Sequence, residues 1–339
     1  MTKSVNLKVW IGLFLSALFV YLALRDVDLA RVWDLTRSAD PFYIVLIILL
    51  AFFQFVVRTW RWAILLEPIK ATGFCNRLAT TLIGFGANCI FPARMGEFIR
   101  ANYLGQREKI SASSAFGTIV IERLFDGFTL LLILVIGLLG TEFTAEWQSV
   151  SNKLRITGFI LLPSYLIFLL LLLCLRYKTE FFLTLFEKIL FFLPGRPRRR
   201  IVEIIRNFSL GIVMVKNPEK WALLIFYSLF VWFLNLYQVD LVEKALGLDL
   251  PFLAAFLIMS MASFGVMIPS APGYVGTFHL SVQYGFIFFG VGREEALSAA
   301  ILWHAVVFFP TIFFGLVSFV LLNLLSGRPL GETPFLGNK

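Results

Sequence analysis

Several runs in this chain, Phe42 to Leu66, Trp221 to Leu246 and Leu297 to Leu325 among them, approach or exceed the ~20 apolar residues that a membrane-crossing helix needs. Hydrocarbon offers no water to backbone amides, so a spanning chain must be helical or form a closed barrel. Here the apolar residues surround each run instead of alternating along it, which selects helices. Only 15% of the 339 residues are charged, against about a quarter in soluble proteins, and 59% are hydrophobic. The sequence therefore predicts an all-α polytopic membrane protein. Its formal charge of +9 is concentrated in a few loops, where it sets topology and attracts anionic lipid; nucleic acid is not an expected partner. Cys75, Cys89 and Cys174 lack paired or metal-ligand spacing and only two histidines occur, so no disulfide framework, metal or cofactor is expected. Lys3 and Lys8 precede an apolar stretch with no small-x-small cleavage pattern, and Trp10 to Leu24 reads as an uncleaved first span.

Two stretches break this pattern. In Gly84 to Arg100, GFGANCIFPARMGEFIR, the breakers Pro92 and Gly96 interrupt the apolar run, and Arg94, Glu97 and Arg100 follow on its far side. In Phe264 to His279, FGVMIPSAPGYVGTFH, Pro269, Pro272, Gly273 and Gly276 do the same. Irregular backbone at membrane depth is tolerated only inside protein or against water. Paired Gly/Pro-broken segments at matching places in two halves point to a transport site between inverted repeats.

Charges inside the spans single out further residues. Phe42 to Leu66 ends in Arg58-Thr-Trp-Arg61-Trp62. Trp60, Arg61 and Trp62 read as an interfacial anchor, with Arg58 deeper. The helix beginning at Ser111 to Ser114 carries Glu122, Arg123 and Asp126, with Glu122 roughly 15 Å from its start and near mid-depth. Three ionisable groups within one turn imply partners and an interior or aqueous orientation. Arginine suits a phosphodiester because its planar fork donates two parallel hydrogen bonds. Helix N-termini after Pro92 and Pro272 would add amide donors for an anion. His304, on the last span, reads as packing.

Each half contains two spans, a broken hairpin and another span, and landmarks such as Phe42 and Trp221 or Pro92 and Pro269 recur about 180 residues apart. An odd number of crossings inverts the second half, predicting two inverted-topology repeats, each three spans plus a broken re-entrant hairpin, with about 6 to 8 transmembrane helices. Residues 1–155 form the first repeat with a cytoplasmic-side hairpin at 78–104. Residues 156–326 form the second, with a basic cytoplasmic insertion at 176–220 and an outer-side hairpin at 252–289, followed by a short cytoplasmic tail at 327–339. The basic insertion and the lysines at the start place both termini in the cytoplasm.

Taken together, Arg-x-x-Arg-Trp at Arg58 to Trp62, Asn88 with Pro92-Ala-Arg94-Met-Gly96-Glu97-x-x-Arg100, the Glu122-Arg123-x-x-Asp126 box and Pro272-Gly273-x-x-Gly276 resemble the lysylphosphatidylglycerol synthase transmembrane (flippase-like) family of bacterial and archaeal inner-membrane proteins. In fused members of that family this region moves aminoacylated phosphatidylglycerol outward, while a separate soluble domain makes it. The resemblance implies lipid transport at the inner membrane without synthesis, with anionic or aminoacylated phospholipid as partner and a separate lipid-modifying enzyme or a homo-oligomer as further associations. It assigns substrate binding to Arg58, Asn88, Arg94, Glu97, Arg100, Glu122, Arg123, Asp126, Gly273, Gly276 and His279. His279 departs from the family's Gly-Gly-x-Gly-x-x-Glu pattern, where a Glu stands.

Two rival readings stay open. A small-solute or ion-coupled transporter shares the inverted-repeat logic. A membrane glycosyltransferase using a lipid-linked sugar would use an acidic pair such as Asp26-Val-Asp28 in an outer loop. No GxxxxGK[ST] loop occurs, so ATP hydrolysis is not expected, and the chain is expected not to be an enzyme.

Overall fold

The apolar runs form helices whose starts are marked by local chemistry. Asp40 caps the helix Pro41–Leu66 by accepting from the Phe42 amide at 2.8 Å, with proline in the first turn where a missing N–H costs nothing. Asp28 caps Leu29–Arg37 in the same way. A computed structural model describes residues 2–91, 94–141, 148–189, 194–195, 217–268 and 271–324. In chain order its helices are α1 (Thr2–Leu24), α2 (Leu29–Arg37), α3 (Pro41–Leu66), α4 (Phe74–Ile90), α5 (Gly96–Glu108), α6 (Ala112–Gly140), α7 (Gln148–Tyr177), α8 (Thr179–Ile189), α9 (Pro218–Ala245), α10 (Ala254–Met267), α11 (Thr277–Ile287) and α12 (Arg293–Leu324), with a 3₁₀ turn at Pro272–Tyr274. No strand occurs among the described residues.

Among these residues three helices, α3, α9 and α12, are long and apolar enough to cross a membrane, and Gly12–Leu24, Arg155–Ile167 and Ala254–Met267 are shorter apolar segments. Their outward faces carry exposed Phe42, Leu49, Phe226, Phe309 and Phe313, as lipid contact requires. The segment from Arg25 to Asp40, which includes the outer-loop pair Asp26 and Asp28, contains α2, whose Val32 is buried against the rest of the fold. The basic insertion lies largely outside the described residues, as do the tail at 327–339 and the breakers Pro92 and Pro269.

The centre is built on α3 and α9, packed antiparallel. Lys220 meets Glu67 at 2.5 Å at one end, Gln54 Nε2 donates to the Val231 carbonyl at 3.2 Å in the middle, and the Asp40 amide donates to the Ala245 carbonyl at 2.9 Å at the other. Two broken pairs, α4–α5 and α10–α11, flank this centre. Helix α4 packs on α12, where Gly86 and Gly315 let the backbones touch: a Cβ on Gly86 would lie 3.1 Å from Gly315 Cα. Helix α10 packs on α6 at Gly137, where a Cβ would lie 3.1 Å from the Leu257 amide.

One contact recurs in both pairs. Gly84 lies against the Gly96 carbonyl and Arg100 Cβ, and Gly265 lies against the Thr277 carbonyl and Ser281 Cβ. Within each pair the second arm then packs on the long helix that follows, α5 on α6 and α11 on α12.

Candidate functional site

The two broken pairs meet tip to tip beside the central helices and leave a cavity of about 400 Å³. Asn88 lies in the last turn of α4; its side-chain oxygen accepts from the Gly96 amide at 2.8 Å, tying the two arms together. Its backbone carbonyl accepts from the hydroxyl of Tyr274 at 3.2 Å, tying one tip to the other. Beside this link stand two non-glycine residues in the left-handed region, Arg94 (φ 53°) and Tyr274 (φ 55°). Such backbone costs of order 1–3 kcal/mol and clusters at functional sites. Both side chains line the cavity.

An ionic cluster forms one wall. Glu122 is fully buried and takes a two-pronged pair from Arg100, 3.2 Å from each Nη, together with Arg61 at 3.1 Å and Arg123 at 2.5 Å. One turn further along α6, Asp126 accepts from Arg61 at 2.6 Å, Arg123 at 3.1 Å, Arg58 at 3.4 Å and the indole N–H of Trp232 at 3.3 Å. Arg123 also reaches Glu97 at 3.7 Å. The Arg100 guanidinium stacks on Trp62, 3.7 Å from the ring centroid, and Trp62 donates to Thr118 at 2.8 Å. Arg61 and Arg123 pair with both carboxylates, so removing Glu122 would leave Arg100, and removing Asp126 would leave Arg58, buried with no carboxylate, the costly case for a buried ion pair.

Of the expected site residues, Arg58, Asn88, Arg94, Glu97, Arg123 and Asp126 line the cavity. Arg100 and Glu122 sit immediately behind them, 2% and 0% exposed. The cluster also corrects an expectation. Arg61 and Trp62, read as an interfacial anchor, are both 0% exposed, because they sit one turn beyond Arg58 on the face of α3 that packs against α6 and α9.

The second tip is arranged differently from expectation. Gly273 (φ 85°) and Gly276 (φ 90°) allow its turn, but Gly276 faces the first helix, where a Cβ would lie 2.6 Å from the Ser16 carbonyl. Ser16 also accepts from the Ala271 amide at 2.7 Å. The Gly276 amide is directed at His279 Nδ1, 3.4 Å away, so His279 serves the start of α11. The Gly96 amide that opens α5 and the Gly276 amide at the N-cap of α11 are thus turned to Asn88 and His279. His304, expected to be plain packing, has Nε2 2.9 Å from the Gly273 carbonyl, its ring 4.7 Å from that of His279, and a place on the cavity wall. Sequence reasoning missed Tyr274, His304, Gln54 and Gln238 at the wall. The place of Tyr274 directly after the Pro272-Gly273 break was the available signal for the first; the others carry no motif.

A family model described as "Lysylphosphatidylglycerol synthase TM region" matches residues 9–315. A UPF0104 membrane protein of Methanothermobacter thermautotrophicus is 23% identical over 298 residues, covering 81% of this chain and 84% of that protein. A UPF0104 membrane protein of Pyrococcus horikoshii is 22% identical over 95% of this chain and 96% of its own length. The glycosyltransferase AglD of Haloferax volcanii is 22% identical over 92% of this chain, and the match spans 54% of that relative. These matches correct the expectation that the chain is not an enzyme: a model described by a synthase covers most of it, and one relative is named for a transferase activity.

Proposed function

This chain belongs to the lysylphosphatidylglycerol synthase transmembrane family, and from that premise we propose that it moves a phosphate-bearing lipid between the leaflets of the inner membrane, headgroup through the cavity and tails in the bilayer. The observation that carries this reading is the cavity itself: about 400 Å³, walled on one side by arginines and on the others by Phe55, Phe278, Trp303 and Phe308, between two helix pairs that are each broken. That volume accommodates a headgroup and not a two-tailed lipid. Arginine forks recognise phosphate oxygens, and the low-dielectric surroundings strengthen the contact.

Two inverted repeats are the architecture this reading uses. They are supported by the matched contacts Gly84–Gly96–Arg100 and Gly265–Thr277–Ser281, and by the parallel pairings of α4 with α12 and α10 with α6. Each pair then enters from one leaflet, the first from the cytoplasm, with both termini cytoplasmic.

The test uses the full chain in proteoliposomes with acyl-labelled phosphatidylglycerol, and follows leaflet exchange by dithionite quenching. Exchange faster than in protein-free vesicles, and slowed about tenfold in Arg94→Gln, is expected; identical exchange with and without protein rejects the reading. The name of the Haloferax relative favours a second reading, in which the lipid in the cavity carries a sugar that the chain transfers. Sugar transfer from a labelled lipid-linked donor by the purified chain would distinguish it.

A further inference from the structure

The charges around the cavity bear on what the headgroup carries besides phosphate. Three carboxylates, Glu97, Glu122 and Asp126, meet five guanidinium groups, those of Arg58, Arg61, Arg94, Arg100 and Arg123. The two buried carboxylates, Glu122 and Asp126, are committed. Each accepts from three arginines, whereas Glu97, the least buried, makes one 3.7 Å contact to Arg123. Two arginines are not committed to the same degree. Arg94 makes no ion pair or hydrogen bond among the described residues, and Arg58, with its side chain nine-tenths buried, makes a single 3.4 Å contact to Asp126. Both line the cavity, so the two surplus positive charges face the space where a headgroup would sit.

On α3 and α9, away from this wall, the polar groups that line the cavity are amides. Gln54 and Asn235 both donate to the Val231 carbonyl, at 3.2 and 3.0 Å. Gln238 is 2% exposed, lines the cavity, and has an Nε2 with no hydrogen-bond partner. It lies six residues beyond Trp232, the residue that touches Asp126, which is about 9 Å further along α9. A buried amide donor left unsatisfied costs free energy unless a ligand supplies its acceptor.

We propose that the headgroup is a phosphate bearing an uncharged, hydroxylated group of the glycerol or sugar type. Its phosphate lies at Arg58 and Arg94, and its hydroxyls reach toward Gln238. Cationic, aminoacylated headgroups are excluded. A cation entering this cavity meets five guanidinium groups against three carboxylates, of which only Glu97 is loosely held and that one beside Arg123, so rejection is built into the wall as repulsion. The inference rests on the lipid-transport reading and, of the anionic and aminoacylated phospholipids that family resemblance implies, keeps the anionic ones.

The experiment compares acyl-labelled phosphatidylglycerol with acyl-labelled lysylphosphatidylglycerol in phosphatidylcholine proteoliposomes of the full chain. A third arm measures uptake of water-soluble glycerol phosphate. Phosphatidylglycerol is expected to exchange about tenfold faster than the lysyl form. Arg58→Gln and Arg94→Gln should each slow it by about tenfold. Gln238→Glu, which adds a carboxylate to the neutral wall, should speed the lysyl lipid and slow phosphatidylglycerol. Lysyl lipid moving as fast as phosphatidylglycerol in the unmodified protein, a result that needs no variant to fold, overturns the inference while leaving lipid transport standing. Movement of neither lipid overturns both. Uptake of glycerol phosphate without lipid exchange keeps the headgroup chemistry and overturns the lipid reading.

Discussion

The hydroxyl of Tyr274 donates to the backbone carbonyl of Asn88 at 3.2 Å, so the tip of one broken helix pair is fastened to the tip of the other across the cavity wall. A backbone carbonyl accepts regardless of side chain, which makes Tyr274 the partner to change. Tyr274→Phe removes one neutral hydrogen bond, worth about 1 kcal/mol, and keeps the ring against Phe308. Thermal unfolding in detergent should fall by only a few degrees. Lipid exchange should change several-fold, because the tips are no longer held together. Unchanged exchange would show that the tips need no fastening.

Burial separates residues that hold the fold from those that meet a ligand. Glu122→Gln leaves Arg61, Arg100 and Arg123 without their shared carboxylate at a fully buried position, and is expected to cost about 3–5 kcal/mol. Arg94→Gln removes a cation with no ion-pair partner among the described residues and should stay within about 0.5 kcal/mol of the unmodified protein. Unfolding midpoints of the two variants decide the point. If Arg94→Gln is the less stable, Arg94 is structural.

Close backbone approach at Gly96 gives a third expectation. A Cβ there would run into the Gly84 carbonyl and the Asn88 side chain, so Gly96→Ala must push the two arms apart. The expected cost is about 1–3 kcal/mol, with loss of lipid exchange. Gly73→Ala is the control, because its Cβ would sit at an ordinary 3.4 Å from Glu108. Equal stability of the two variants would contradict the packing described.

What was legible in the chain followed from local rules. The spans showed as apolar runs, the breaks as Gly and Pro inside them, and the Glu122-Arg123-x-x-Asp126 box as a charge density that hydrocarbon does not tolerate unpaired. Arg61 and Trp62 were misread because basic-aromatic clusters do collect at interfaces, and only packing of α3 on α6 and α9 reveals that this face is interior. Gln54 and Gln238 were invisible for the opposite reason. A lone amide in a span carries no pattern, and its role depends on which cavity the other helices leave beside it.

Sidedness of the two pairs can be read with one reagent. Cys75 is exposed near the start of α4, and Arg293 is largely exposed at the start of α12, just after the second pair. In a background of Cys89→Ser and Cys174→Ser, a membrane-impermeant maleimide should reach Cys75 from the cytoplasmic face, and therefore label it in inverted vesicles. With Cys75→Ser and Arg293→Cys added, the same reagent should label intact cells instead, because an odd number of crossings separates the two positions in an inverted repeat. Arg293 contributes only a 3.8 Å exposed contact to Asp26, so its loss leaves the fold in place. Labelling of both positions from one face would mean that the halves are not inverted, and the matched glycine contacts of the two pairs would then reflect parallel repeats.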